Sequence, residues 1–315
     1  TLELAASESR SQNWDAAIKA ASEVLDAEPD NLEARLLRGD AYASEGKKLD
    51  LALADYDFVL AKEPMSVQAL NSRASTLLLL NRIDEAAEAI DQLEALIDKN
   101  PTDDANRAHL CAAQAVLRRE RGDVEEAEKR LDECLEQFPT FAIVVDSAID
   151  LYDKSGKPEK SNAILEKALE VAPLSVSYRR TLALRMEATG HSDRALEILK
   201  EGLKTDNREI LSAVWTDITN YHLHRDEVPE ALEAFEQALA LNEDPPELAV
   251  LTHADLLARV GRYDEALEVA KGLKNEAYVG LIEARIALDK GDPKRALARL
   301  DKVFPSWPNN AGARY

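Results

Sequence analysis

Apolar and polar residues follow one another along this chain with the period of an amphipathic α-helix. One such apolar stripe consists of Ala231, Phe235, Ala238 and Leu239. The chain is rich in Ala, Leu, Glu and Asp, and it has few of the aromatic residues that are common in sheets. The pattern therefore predicts an all-helical protein.

The helical pattern recurs along the whole chain. In each copy a turn and polar residues precede a small residue that lies near the start of an apolar helix. The nine copies of this small residue are Ala17, Ala52, Ala86, Ala127, Ser161, Ala195, Ala231, Ala266 and Ala296. Neighbouring copies are 30 to 41 residues apart. A single copy cannot bury its apolar stripe alone, so the copies are expected to stack on one another.

Three further positions recur in register with this small residue. A second small residue lies in the preceding helix, at Gly39, Ala74, Ala115, Ala183, Ala254 and Ala284. A turn glycine recurs at Gly46, Gly122, Gly156, Gly190, Gly261 and Gly291, and a closing proline at Pro29, Pro64, Pro139, Pro173 and Pro308. Small residues let two helices approach closely, glycine adopts a positive φ at a helix end, and proline stops a helix. Each copy is therefore predicted to be a helix–turn–helix.

This unit resembles the tetratricopeptide repeat, a family whose repeat is a helix–turn–helix of about 34 residues. The resemblance covers essentially the whole chain, although the tryptophan of the family occurs only at Trp215. It implies an all-α fold, a right-handed α-solenoid of tandem repeats that forms one superhelix over residues 1–315. The predicted repeats are approximately residues 1–31, 32–66, 67–101, 102–141, 142–175, 176–209, 210–244, 245–276 and 277–310, with 311–315 beginning a truncated tenth.

Two spacings depart from the regular period. Seven extra residues in the copy that follows Ala86 predict a loop at residues 100–104 with extended helices on either side. Four residues are missing from the copy that follows Ala266, which predicts a short helix near Leu273.

The charge of the chain limits the class of partner. It has 39 Lys and Arg against 60 Asp and Glu, a net charge of −21 over 315 residues. Nucleic acids and anionic membrane surfaces are poor partners for such a chain, because binding to phosphate needs a basic surface. A protein or peptide with basic residues is the predicted partner. No apolar run is long enough for a membrane span, so no direct membrane contact is expected from this segment.

The cysteines and the ends of the chain bear on its compartment. Cys111 and Cys134 are too few for a disulfide-rich scaffold, and both fall on apolar stripes. We expect buried free thiols, with a disulfide within the fourth repeat as the alternative. The absence of a visible signal peptide favours a cytoplasmic location, whereas a start at Thr1 without methionine leaves a periplasmic location open.

No motif for catalysis is evident in the sequence: it lacks phosphate-binding loops, nucleophile elbows and zinc-protease signatures. His222 and His224 are two residues apart, so on a helix they point to different faces and are unsuited to share a metal ion. We therefore expect a non-enzymatic protein without catalytic residues, a metal site or a cofactor.

The resemblance also places a binding surface. Tetratricopeptide arrays bind partners on a concave surface formed by the first helix of each repeat. A scaffold that binds a peptide or protein segment in this groove is therefore the leading hypothesis. Projection of the first helices gives the candidate binding residues Asn71, Asp146, Asp150, Arg180, Thr216, Asp217, Asn220, Asp255 and Arg285.

Two other hypotheses remain open. Both ends of the chain look cut within the array, which suggests the regulatory or targeting portion of a larger enzyme, or of a membrane-associated secretion or assembly protein. The third hypothesis is self-association through the exposed ends of the array.

Overall fold

The computed structural model describes residues 1–99 and 103–303, which form eighteen α-helices that pack as tandem pairs. The described helices fall into two units, unit 1 (Thr1–Val171) and unit 2 (Ala172–Tyr315). The prediction of an all-α array of paired helices is confirmed. One continuous superhelix over both units stays a prediction.

Unit 1 contains five helix pairs. They are α1 (Leu2–Arg10), α2 (Trp14–Ala27), α3 (Leu32–Glu45), α4 (Leu49–Lys62), α5 (Val67–Leu79), α6 (Ile83–Lys99), α7 (Asp104–Glu120), α8 (Val124–Gln137), α9 (Ala142–Lys154) and α10 (Pro158–Val171). The odd-numbered helices are the first helices of the pairs, and the even-numbered helices are the second helices.

The described residues of unit 2 contain four pairs. They are α11 (Val176–Ala188), α12 (Ser192–Glu201), α13 (Arg208–His224), α14 (Val228–Ala240), α15 (Glu247–Arg259), α16 (Tyr263–Ala270), α17 (Glu276–Asp289) and α18 (Pro293–Val303). Residues 100–102, where the third predicted repeat meets the fourth, lie outside the described residues. So do residues 304–315, which include the end of the ninth repeat and the predicted start of a tenth.

The two helices of each pair meet at the small residues that the sequence repeats. All nine second-helix positions, from Ala17 to Ala296, are at most 1% exposed. Gly39 on α3 shows why bulk is excluded, since a Cβ atom there would lie 2.7 Å from Cε1 of Tyr56 on α4. Tyr56 is fully buried, so its ring has no free space into which to move.

The turn inside each pair contains one residue with a left-handed backbone. In six pairs it is a predicted turn glycine, with φ between 69° and 90°. In the other three pairs it is Gln12, Asn81 or Asp226, each with a φ of 57°. A side chain in this conformation costs about 1–2 kcal/mol, although Asn and Asp offset part of the cost by local hydrogen bonds. Gln12 has no such compensation, so its turn is the most strained of these three.

Two arginines connect a pair to the closing turn of the pair before it. Arg35, the fourth residue of α3, donates a hydrogen bond to the carbonyl of Pro29 at 3.1 Å. Arg179, the fourth residue of α11, donates to the carbonyl of Pro173 at 2.5 Å and to that of Ile198 at 2.7 Å. Burial lowers the pKa of Arg179. The bonds to Pro29 and Pro173 tie each first helix to the turn before it, and the bond to Ile198 supplies a donor to a carbonyl near the end of α12.

The helices beside both departures have the predicted lengths, whereas the predicted loop at residues 100–104 is only partly described. The helices beside the extra residues, α6 and α7, are each 17 residues long. Residue 104 begins α7 instead of lying in the loop, and residues 100–102 are not described. The short helix is α16, with 8 residues. Leu273 follows it and is 7% exposed, within the core formed by α15, α16 and α17.

The expectation of free thiols is wrong. Cys111 on α7 and Cys134 on α8 form a disulfide, with their Cα atoms 5.9 Å apart. Both residues face the interior of the same helix pair and are at most 1% exposed. The apolar stripes located both side chains correctly, but only the packing of α7 on α8 brings the two sulfur atoms together within the range that a disulfide spans.

Replacement of Gln12 by glycine should raise the free energy of unfolding by about 0.5–1 kcal/mol, because glycine relieves the left-handed strain at some cost in backbone entropy. Thermal unfolding followed by circular dichroism measures the change. Asn81→Gly is the matched control and should have a smaller effect, since asparagine tolerates this conformation better. A Tm of Gln12→Gly at or below that of the unmodified chain would contradict this view.

Replacement of both cysteines by alanine should lower the free energy of unfolding by about 3 kcal/mol, because the disulfide closes a loop whose ends are 23 residues apart. Denaturant unfolding measures this loss. Mass spectrometry after alkylation in denaturant, without reductant, tests the bond itself. Two alkylated cysteines in protein purified without reductant would show that the disulfide is absent.

Candidate binding surface

Polar contacts join consecutive first helices on the face where the sequence places the binding residues, here called the first-helix face. In unit 1, Asn71 on α5 donates from Nδ2 to Oδ1 of Asn106 on α7 at 3.2 Å. Asp150 on α9 accepts hydrogen bonds from Arg119 on α7 at 2.6 Å and from Lys154 at 2.9 Å. Two of the predicted residues, Asn71 and Asp150, therefore also hold neighbouring helices together.

Asp150 is an ionised and accessible carboxylate. Burial by itself would raise its pKa, but the hydrogen bonds from Lys154 and Arg119 outweigh burial and lower the pKa below its ordinary value. Its side chain is 47% exposed. Asp146, one helical turn earlier on α9, is also exposed. The two predicted acids of unit 1 therefore lie side by side on one helix.

In unit 2 the first helices α11 and α13 are joined by an ion pair. Nε of Arg180 donates to Oδ1 of Asp217 at 2.6 Å. The Asp217 side chain is 6% exposed, whereas that of Arg180 is 50% exposed. Burial raises the pKa of Asp217, and the interaction with Arg180 offsets this only in part. A partner would therefore meet Arg180, while Asp217 lies beneath and fixes the orientation of the guanidinium.

A second ion pair joins α15 to α17 in unit 2. Nε of Arg285 lies 2.5 Å from Oδ1 of Asp255, and both side chains are partly exposed. The sequence named the two residues separately, and the structure makes them one paired group. This pair and the contact between Arg180 and Asp217 lie on the same kind of surface, where a first helix faces the next first helix.

A groove of about 530 Å³ lies between α11 and α13. Four predicted residues line it, namely Arg180, Thr216, Asp217 and Asn220. Leu184, also on α11, lines the same groove and is 49% exposed. Thr216 and Asn220 are exposed as well. The groove therefore combines an apolar surface, hydrogen-bonding side chains and a guanidinium held in place from below.

Sequence reasoning missed part of the lining of this groove. The missed residues are Glu187, Leu199, Tyr221 and His224. Glu187 lies one helical turn beyond Leu184, and His224 one turn beyond Asn220, so extension of each stripe by one turn would have found them. Leu199 comes from the second helix α12, and no pattern in the first helices indicates it.

The acidic excess of the chain lies mainly on the second helices. They carry 31 acidic and 13 basic side chains, whereas the first helices carry 18 and 14. The first helices are therefore close to neutral in spite of the net charge of −21. Because Asp150 and Asp217 are paired with arginines, the first-helix face presents less negative charge than its acidic sequence suggests.

His222 contacts a carboxylate close to it in the chain. Nδ1 of His222 lies 2.8 Å from Oε2 of Glu227, in the turn that follows α13. Within residues 1–99 and 103–303, no group of three or more His, Cys, Asp or Glu side chains is arranged to hold a metal ion.

None of the helices in the described part of the chain combines the length and the apolar character that a membrane crossing requires.

Comparison with known proteins identifies the repeats. A family model described as tetratricopeptide repeat matches residues 2–50, 47–104 and 220–278, and a second tetratricopeptide repeat model matches residues 113–140.

Two curated relatives also match. Interferon-induced protein with tetratricopeptide repeats 2 of Homo sapiens is 28% identical over 128 residues, which are 41% of this chain and 27% of that protein. A putative pentatricopeptide repeat-containing protein of Arabidopsis thaliana is 24% identical over 178 residues, which are 56% of this chain and 29% of that protein. This chain therefore spans less than a third of the length of either relative.

A solved structure shows the same fold. A thermophilic tetratricopeptide repeat protein of Thermus thermophilus matches with a TM-score of 0.50 and 21% identity, over 58% of this chain and 95% of that chain. The family matches agree with the recurring small residues, the left-handed turns and the paired helices. This chain therefore belongs to the tetratricopeptide repeat family.

Proposed function

We propose that this protein is a non-enzymatic scaffold that binds an extended segment of a partner protein or peptide on its first-helix face. Tetratricopeptide repeat proteins are generally protein-interaction scaffolds and typically non-catalytic, which supports this class of function. The groove between α11 and α13 is the observation that carries the proposal.

The lining of the α11/α13 groove suits an extended chain. A peptide without regular structure brings backbone donors and acceptors that need partners, together with side chains that need pockets. Thr216 and Asn220 are exposed polar side chains within reach of a bound backbone. Leu184 provides the apolar contact, and Arg180 provides a donor whose direction Asp217 fixes. A preoriented donor reduces the ordering cost of binding.

The net charge of −21 supports a partner with basic residues, because it attracts cations over a distance and raises the rate of encounter. In unit 1, Asp146 and Asp150 would contact such residues, and Asp150 is ionised. Asn71 would contribute a hydrogen bond in the same unit. In unit 2 the pair of Asp255 and Arg285 would offer both an acceptor and a donor.

Selection from a random peptide library tests the α11/α13 groove. Peptides bound by the full chain are passed over the Leu184→Glu variant, and those that this variant fails to retain are kept. We expect the kept peptides to lose about tenfold in affinity for Leu184→Glu, equivalent to about 1.4 kcal/mol, because a charge replaces the apolar contact. Fluorescence anisotropy measures the dissociation constants.

Leu297→Glu is the matched control, since Leu297 is 58% exposed and lies on the second helix α18 of the same unit. It should bind the kept peptides as the unmodified chain does. If Leu184→Glu retains the whole selected pool, or if both variants lose affinity equally, the α11/α13 groove is not the binding site.

A further inference from the structure

The second helices of unit 1 hold most of the acidic excess. They carry 21 acidic and 7 basic side chains, and α8 alone carries six acidic and two basic ones. A basic partner is therefore attracted to this side of unit 1 more strongly than to the nearly neutral first helices. Acidic helices alone do not make a site, so the question is whether this side also offers a surface that a partner can fill.

An apolar groove of about 330 Å³ opens between the second helices α8 and α10. Both helices pack against α9, and Val145 of α9, which is 3% exposed, forms the floor. Leu135 on α8 and Ile164 on α10 form the walls, and both are partly exposed. This volume is at the lower end of the range for small-ligand sites. It can hold one inserted side chain of a partner, but it is too small for the broad surface of a folded domain.

The rim of this groove is charged unequally. Asp132 and Glu136 stand on the α8 side, and Lys167 stands on the α10 side. Asp132 accepts a hydrogen bond from the hydroxyl of Tyr152 at 2.7 Å, which fixes its carboxylate at the rim. Burial and this hydrogen bond raise the pKa of Tyr152, so the phenol remains a donor. The rim therefore favours a ligand that carries positive charge beside its apolar anchor.

A disulfide holds α8, which forms one wall of the groove, against its neighbouring helix. Cys134, adjacent to Leu135, is bonded to Cys111 of α7. This covalent link fixes α8 against its partner helix α7. A groove with a fixed wall needs little rearrangement when a ligand enters, which lowers the cost of binding.

We propose that the α8/α10 groove is a second docking site, which takes a basic segment of a partner protein. One large apolar side chain of the segment inserts between Leu135 and Ile164, and a neighbouring Lys or Arg contacts Asp132 and Glu136. The apolar walls and the acidic α8 rim together select this occupant. The site lies wholly in unit 1 and is independent of the α11/α13 groove proposed above.

Three short synthetic peptides, labelled with fluorescein, test the chemistry of the occupant. One has a central Phe flanked by Lys, the second has Glu in place of each Lys, and the third has Ala in place of Phe. Anisotropy is measured with the full chain at about 0.15 M salt, where exposed charges more than about 8 Å apart are largely screened. We expect the first peptide to bind about tenfold more tightly than either of the others.

Substitutions at the groove test its location. Glu136→Lys reverses the acidic rim, and Ala163→Phe fills the groove from an exposed lining position on α10. Each should lower the affinity for the first peptide, here called the Lys–Phe peptide, about tenfold. Lys167→Glu removes the opposing charge and should tighten binding about threefold. This gain cannot arise from a loss of folding, and thermal unfolding of the other two variants shows whether they are folded.

Two matched variants complete the test. Glu125→Lys makes the same charge change on the first turn of α8, outside the groove, and Leu184→Glu alters the α11/α13 groove. Both should bind the Lys–Phe peptide as the unmodified chain does. The proposal would be overturned if Glu136→Lys and Glu125→Lys lost the same affinity for the Lys–Phe peptide. It would also be overturned if the peptide with Lys and the peptide with Glu bound equally well.

Two further results would name a different occupant or site. A loss of binding in Leu184→Glu would place the basic peptide in the α11/α13 groove. Sedimentation that shows self-association of the unmodified chain, abolished by Glu136→Lys, would make a second copy of the chain the occupant of the α8/α10 groove. Failure of the peptide selection at Leu184 has no bearing on these measurements, so the two proposals are tested separately.

Discussion

The close contact between the two helices of each pair is the constraint on which the rest of this structure depends. It requires a small residue at the equivalent position in the second helix of each pair, from Ala17 to Ala296. Most first helices have a small residue opposite it. Gly39, which faces the ring of Tyr56, shows how little space remains at this contact. Because the contact recurs at the equivalent position in each pair, equivalent parts of consecutive first helices lie next to each other. Polar residues of one first helix then meet those of the next, as Arg180 meets Asp217.

This stacking also separates two kinds of electrostatic surface. On the first helices, carboxylates such as Asp150 and Asp217 are paired with arginines of the neighbouring repeat, so the surface is structured but close to neutral. The second helices carry most of the negative charge, and part of it is paired with basic residues of the next repeat, as Asp57 is with Arg73 and Glu128 is with Lys157. The first-helix face is therefore suited to recognition by shape and hydrogen bonds, and the second helices are suited to attraction of cations. One acidic composition thus produces two surfaces of different charge.

Part of the candidate site could be predicted from the sequence, and the reason is geometric. The helical period places Arg180, Thr216 and Asn220 on one side of their helices, and the structure brings all three to one groove. The same period cannot give the depth of a side chain below the surface, so Asp217 was predicted to contact a partner although it lies beneath Arg180. Leu199 reaches the groove from a second helix, and no pattern within the first helices carries that information.

The sequence by itself determined the helical class, the repeat, the turns and the irregular spacings, because these depend on local propensity and on a period that recurs along the chain. Only the tertiary structure decided which side chains meet. The disulfide between Cys111 and Cys134, the ion pair between Asp255 and Arg285, and the α8/α10 groove all depend on distances between helices. Those distances are set by the packing of side chains across each interface, and a linear pattern of residues does not contain them.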